Sequence, residues 1–289
     1  MKFRLVILFF LSVYSFATVQ GQLLMDDVSA DTNDVMMETS CVDTNDSFQV
    51  GEKLEYDLFF NWTAIWLKAG VIKFSIKDGD VEGTPALHCI AEARTPRSFD
   101  WIYKVRDKYE SYLDYSSLNP LRFVRDVNEG DYTKQLQYTY SPADTSVNVD
   151  YYIRRGKLKA ENELLSIPNC TQDLLSSLYF ARSLDYSNFD AGDSVNVDLF
   201  MDKKMYEVSF KFLGKDTIKH DGEVYRCNKF VPRLIQGGVF EEGDQIIVWV
   251  TDDENKLPLL IESDLNFGKI KAYLKKSRGL RNEVTSIIE

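Results

Sequence analysis

The chain has 289 residues, 45 acidic and 34 basic, for a formal charge of −11 at neutral pH. That balance repels phosphate backbones and excludes nucleic acid as a partner. With 44% hydrophobic and 13% aromatic residues, the bulk of the chain has ample material for a core and is not disordered.

The first 17 residues read as a signal peptide. Lys2 and Arg4 precede an apolar run from Leu5 to Leu11, and Ser15 and Ala17 supply the small residues of a cleavage site. Loss of those two basic residues takes the charge to about −13. The run falls short of the ~20 apolar residues that cross a membrane, and no later stretch reaches that length. Thr18, not cysteine, directly follows Ala17, which argues against a lipid anchor. The expected location is periplasmic or secreted, with no transmembrane anchor.

Residues 18–47 read as a flexible acidic leader. Leu23 to Glu52 hold no Lys or Arg, and Asp-Thr-Asn-Asp occurs at 31–34 and again at 43–46. Such a segment cannot offset its ordering entropy by burial. Asp43, Asn45 and Ser47 invite comparison with a calcium loop. Phe48, however, stands where an EF-hand needs glycine, and Leu54 where it needs glutamate.

From Phe48 the period becomes two. Leu54, Tyr56, Leu58, Phe60 and Trp62 alternate with polar residues, as do Ile72, Phe74 and Ile76. Further stripes are Tyr132 to Tyr140, Val147 to Ile153, Val195 to Leu199, Tyr206 to Phe212, Val224 to Val231, Ile246 to Val250, Leu257 to Ile261 and Ile270 to Leu274. Asp78-Gly79, Glu129-Gly130 and Asp221-Gly222 punctuate them as turns. About a dozen hairpin-linked strands are expected. The fold class is therefore all-β: a large antiparallel sheet, curled or partly closed into a barrel. It would form one domain over 48–276, with a C-terminal tail at 277–289.

One segment departs from this period. Leu174, Leu175, Leu178, Tyr179 and Arg182 share a helical stripe, which predicts one helix of about three turns over Thr171 to Leu184. Asn169 or Thr171 can cap it, and Asp173 suits the positive end of its dipole. A salt bridge to the sheet is the expected role of Arg182.

Export permits disulfides. Cys89 and Cys227 fall inside strands, whereas Cys41 and Cys170 lie in adjustable backbone, so a bridge, if one forms, is expected between Cys41 and Cys170. Four reduced thiols fit the pattern equally. No spacing suits a metal, and His88 and His220 are 132 positions apart. No nucleophile elbow, phosphate loop or His-Glu-x-x-His occurs. A non-catalytic protein without metal or cofactor is expected.

The suggestive residues are aromatic. Trp62, Trp66, Trp101 and Tyr103, with Tyr179 and Arg182 of the helix, are the candidates to line a concavity for a lipid or glycolipid. Core packing accounts for the same aromatics. The alternative function is a structural or interaction protein that meets an envelope partner through a sheet edge or its acidic leader. Lys269, Lys271, Lys275, Lys276, Arg278 and Arg281 form a basic run that suits anionic headgroups, an acidic partner or a solvated strand and frayed tail.

Three segments resemble the exported bacterial proteins of domain of unknown function 3108. They are Phe48-x-x-Gly51-Glu52-x-Leu54-x-Tyr56, Asp173-x-Leu175-Ser176-x-Leu178-Tyr179-x-x-Arg182, and Trp249-Val250-Thr251-Asp252-Asp253 followed by Pro258. The resemblance spans nearly the whole chain after the leader. It implies an envelope-facing β protein and brings no activity or catalytic residue. Some such folds look similar to half-barrel carriers of lipoproteins.

Overall fold

A computed structural model describes residues 36–37, 41, 44–62, 65–101, 103–236, 246–265 and 268–288. The expected signal peptide at 1–17 and the leader through residue 35 lie outside the described residues.

After a two-residue strand β1 (Met36–Met37), eight strands follow in succession. They are β2 (Lys53–Trp62), β3 (Ile65–Val81), β4 (Thr84–Arg94), β5 (Arg106–Asp114), β6 (Pro120–Glu129), β7 (Tyr132–Ser141), β8 (Ser146–Arg154) and β9 (Lys157–Ser166). The helix α1 (Ser176–Ser183) intervenes. A second run comprises β10 (Ser194–Met201), β11 (Lys204–His220), β12 (Glu223–Gln236), β13 (Ile246–Thr251), β14 (Pro258–Leu265) and β15 (Gly268–Arg278). Each run is an antiparallel meander, and β15 pairs with β2 to fuse them into one sheet. The short β1 adds in parallel at the β10 edge.

Strict alternation makes this sheet one-sided. Along β5, Asp107, Tyr109, Ser111 and Leu113 are buried and their neighbours are half-buried. Register shifts at Leu58/Phe59, Gln137/Tyr138 and Leu274/Lys276 add local bends that curl the sheet around its apolar face. At one end the curl brings Gly279 against the start of β2. A Cβ on Gly279 would stand 2.4 Å from the Gly51 carbonyl oxygen, and its φ of +65° also favours glycine.

The curled sheet is not closed, because β9 and the β10 side remain separate edges. Ion pairs cross the gap instead. Asp202 and Lys203, in the β10–β11 turn with φ of 50° and 66°, reach the opposite wall. Lys134 Nζ donates to Asp202 at 2.6 Å, Arg125 Nη1 donates to it at 3.4 Å, and Lys203 pairs with Glu163 of β9.

The helix is shorter than its apolar stripe predicts. Residues before it run extended along β10: the Gln172 N–H donates to Asp198 O, and the Phe200 N–H to Gln172 O, both at 2.8 Å. Asp173 then starts the helix, its Oδ1 accepting the Leu175 and Ser176 N–H groups at 2.8 Å each. Burial pushes the Asp173 carboxyl up to about 6, against the hydrogen bonds it accepts.

Both ends of the described region are tied down where the sequence suggests freedom. In the leader, Met36–Met37 pair with Ser194–Val195, Cys41 is disulfide-bonded to Cys170, and Ser47 is buried. The expected tail adds to β12: the Arg226 N–H donates to Ser286 O and the Ile288 N–H to Val224 O, both at 2.8 Å. Backbone pairing anchors both segments, which side-chain composition does not reveal. Among the described residues, no helix is long and apolar enough to cross a membrane.

Candidate functional site

The three segments that carry the family resemblance meet at Arg182. Its guanidinium donates to Glu52 at 2.6 and 2.9 Å, and to the carbonyls of Ser47 and Asn255 at 3.2 and 3.0 Å from Nη2. Phe48 packs edge-on to Tyr179 at 5.0 Å, with the guanidinium over its ring. Tyr56 donates to Pro258 O at 2.8 Å. This knot fixes α1 against the concave face of the sheet. Every polar contact in it is internal, so its role is to position the helix.

The other side of α1 bounds a cavity of about 170 Å³. Leu178, Ala181 and Leu184 form the helix wall, and Phe210, Phe230 and Val248 the sheet wall. Tyr186 and Phe189, in the connection from α1 to β10, close the side. Tyr186 lies 4.7 Å from Phe230 and 5.7 Å from Phe189, centroid to centroid. The lining is almost wholly carbon, an environment that stays dry when empty and admits apolar groups.

Tyr186 also lines a larger open groove of about 900 Å³ with Asp252, Asp253, Lys215, Asn228 and Asn282. Its hydroxyl donates to Ala181 O, and Lys256 lies 5.4 Å over its ring while donating to Leu184 O at 2.6 Å. One aromatic side chain thus stands between an apolar chamber and a charged groove.

Of the six residues singled out from sequence, Arg182 touches the chamber and is committed to Glu52. Tyr179 is buried on the Phe48 side. Trp66 and Trp101 are 41% and 83% exposed, away from the chamber, where a shared concavity was expected. The backbone of Trp62 ends β2 at the same hairpin as Trp66. Tyr103 is half-buried against Gly130, its hydroxyl donating to Glu129 at 3.5 Å. The chamber aromatics come from three segments, Tyr186 and Phe189 from the α1–β10 connection, Phe210 from β11 and Phe230 from β12. The sequence offers only the dense Tyr186-Phe189 pair as a signal.

A second buried cluster lies across the sheet interior. Burial, reinforced by the Asp107 charge, pushes Glu129 up to about 8, and burial pushes Asp107 up to about 6. Arg125 lies near both carboxyls and is tied to Asp202. Burial lowers Lys134 to about 8 despite its contact with Asp202. Of these groups, Arg125 and Lys134 meet Asp202 across the gap in the sheet. Among the described residues, no three His, Cys, Asp or Glu side chains are grouped to hold a metal.

A solved structure of low sequence identity shares the fold. A beta-barrel-like protein of domain of unknown function 1849 from Brucella abortus superposes with a TM-score of 0.50 at 12% identity, covering 80% of this chain and 98% of that one. A candidate lipoprotein from Parabacteroides distasonis gives 0.35 at 11%, covering 83% and 100%. Lipoprotein LppX of Mycobacterium tuberculosis gives 0.23 at 11%, covering 81% and 88%. No curated protein matches the sequence significantly. The model of the family described as protein of unknown function DUF3108 matches residues 55–275, and the chain belongs to that family.

Proposed function

We propose that this is a non-catalytic, exported envelope protein that holds the apolar end of an amphipathic ligand, a lipid or glycolipid, in the chamber behind Tyr186. The carrying observation is that a carbon-lined cavity of about 170 Å³ adjoins a charged groove of about 900 Å³ through one shared side chain. A cavity of ~150 Å³ lined by apolar side chains takes up a benzene-sized guest. The chamber therefore accepts a small apolar group or the tip of an acyl chain. The Asp and Asn side chains of the groove suit the hydroxyls of a polar headgroup.

Native mass spectrometry with lipid extraction, on protein purified from its own host, tests this reading. A co-purifying amphiphile that is lost on filling the chamber supports it. Protein that emerges empty and takes up no added lipid overturns it.

One observation favours a second reading, an interaction protein. The edge strand β9 exposes Leu158 and Leu164, 55% and 70% accessible, beside unpaired backbone. A partner strand could add there. Proteins captured through β9, by a chain empty of lipid, would favour that reading.

A further inference from the structure

Strand direction places the turns β2–β3, β4–β5, β6–β7, β8–β9 and β14–β15 at one end of the curled sheet, opposite the charged groove. The β2–β3 hairpin extends past the end of β4, with β15 alongside its other strand as far as Asn61. Pairing of β3 with β4 stops at Val71, so residues 65–70 pair in the ladder with β2 alone. At roughly 3.3 Å per residue the overhang is about 20 Å long. Ile65, Trp66, Leu67 and Lys68 are all exposed in succession, so both faces of this stretch of strand reach solvent. A solvated strand has no need of three consecutive large apolar residues, and nowhere else along β3 is a large apolar side chain exposed.

Trp101 is presented at the same end. It is 83% exposed on a loop that is braced from beneath. Arg106 Nη2 donates to Asp100 at 2.7 Å, Thr95 Oγ1 donates to Asp100 at 3.0 Å, and the Tyr103 N–H returns to Phe99 O at 2.9 Å. The Gly130 N–H donates to Lys104 O at 2.8 Å and ties the loop to the next turn. The loop therefore holds the indole outward.

Around these apolar groups the charge is basic, in a chain of formal charge −11. Between β15 and β9, Arg97, Lys104, Arg154, Arg155, Lys157 and Lys269 are exposed at this end, against Asp131 and Asp264 among the described residues. Lys271 lies 5.3 Å over the Trp66 ring. Amphipathic indoles with basic neighbours suit the boundary between anionic headgroups and acyl chains.

We infer that this end of the sheet is a docking surface for an anionic lipid membrane, with the Ile65–Leu67 finger and Trp101 entering the headgroup layer. The inference stands independently of the chamber, which adjoins the groove at the other end through Tyr186. Trp66 and Trp101, which contribute nothing to the chamber, acquire a role.

Sedimentation of the full chain with vesicles of phosphatidylcholine and phosphatidylglycerol tests it, with pure phosphatidylcholine as the comparison. The Leu5–Leu11 run is common to every variant, so differences report the rim. The expected result is binding that needs phosphatidylglycerol, weakens with salt, and falls at least tenfold in Trp66→Ser/Trp101→Ser. Arg154→Glu/Arg155→Glu should weaken it as well, and both pairs are exposed enough to leave folding intact by circular dichroism. Indole fluorescence should shift to shorter wavelength on binding in the parent and lose that shift in Trp101→Ser. Binding indifferent to all four substitutions overturns the inference. So does a stable dimer in analytical ultracentrifugation that Trp101→Ser dissociates, since this end then faces a second copy. A chain that binds vesicles through the rim yet carries no lipid in its chamber would sink the ligand proposal and leave this one standing.

Discussion

Arg182 and Glu52, 130 positions apart, form a two-pronged ion pair inside the protein, each side chain no more than 2% exposed. The pair is where the helix, the start of β2 and the β13–β14 turn are joined. A buried pair gives little net stability compared with an apolar equivalent, but removing one partner leaves an uncompensated charge in a dry site. Arg182→Met should therefore cost about 3–5 kcal/mol, read as a shift in urea midpoint. The double variant Glu52→Met/Arg182→Met should recover part of that loss. A cost below ~1 kcal/mol for Arg182→Met would show that water reaches the pair.

Stability should fall as pH rises through neutrality because of Glu129. Burial and the nearby Asp107 raise its carboxyl to about 8 in the folded protein. An unfolded glutamate releases its proton near 4.3, so between those values the folded state binds more protons. The linkage slope is then negative, and stability present at low pH is lost toward pH 8. Glu129→Gln keeps an acceptor for the Tyr103 hydroxyl and removes the titration. It should flatten the slope between pH 5 and 8 and stabilise the protein at pH 8 by about 1 kcal/mol or more. Urea titrations of parent and variant at the two pH values decide this.

Strands such as β7 and β8 are legible in sequence because one face of each packs and the other meets water, whereas β5 and β6 alternate in burial without an apolar stripe singled out from the sequence. The helix was legible in position but not in length. Thr171 and Gln172 fall inside the expected helix, but the Gln172 backbone pairs along β10 instead. Likewise, no side-chain pattern announces that Ser286 will pair with Arg226. The chamber was hidden because Phe210 and Phe230 become neighbours only through sheet register and curl. The rim did leave a trace: the run Ile65-Trp66-Leu67 breaks alternation where a half-buried strand should keep it.

The cysteines should separate into two classes. Cys41 and Cys170 are bonded across 129 residues, while Cys89 and Cys227 are free and buried. Burial pushes the Cys227 thiol up to about 12 and raises Cys89 as well, so neither offers a thiolate at neutral pH. An alkylating reagent should label none in the native protein, two after unfolding without reductant, and four after unfolding with it. Cys41→Ser/Cys170→Ser should lower stability by about 2–5 kcal/mol and speed proteolysis near Met36, whose pairing with β10 the bridge secures. Two native labels without reductant would contradict the burial of Cys89 and Cys227.

The chamber itself can be filled or enlarged. Ala181 lines it from the helix side, and Ala181→Leu adds three carbon atoms into about 170 Å³ of apolar space. If the added carbons fit, each contributes up to ~0.8 kcal/mol, so the ligand-free protein should melt at the same temperature or higher. Phe230→Ala enlarges the same space and should cost about 3–5 kcal/mol through lost packing. The two variants also move lipid uptake in opposite directions relative to stability. Ala181→Leu should hold at least tenfold less co-purifying lipid while remaining as stable as the parent. Phe230→Ala should keep its lipid and be rescued by it, because a ligand that binds only the folded state raises the melting temperature in proportion to the logarithm of its concentration. Melting curves with and without added lipid, alongside extraction and mass spectrometry, measure both effects. Unchanged lipid content in Ala181→Leu would place the ligand elsewhere on the protein.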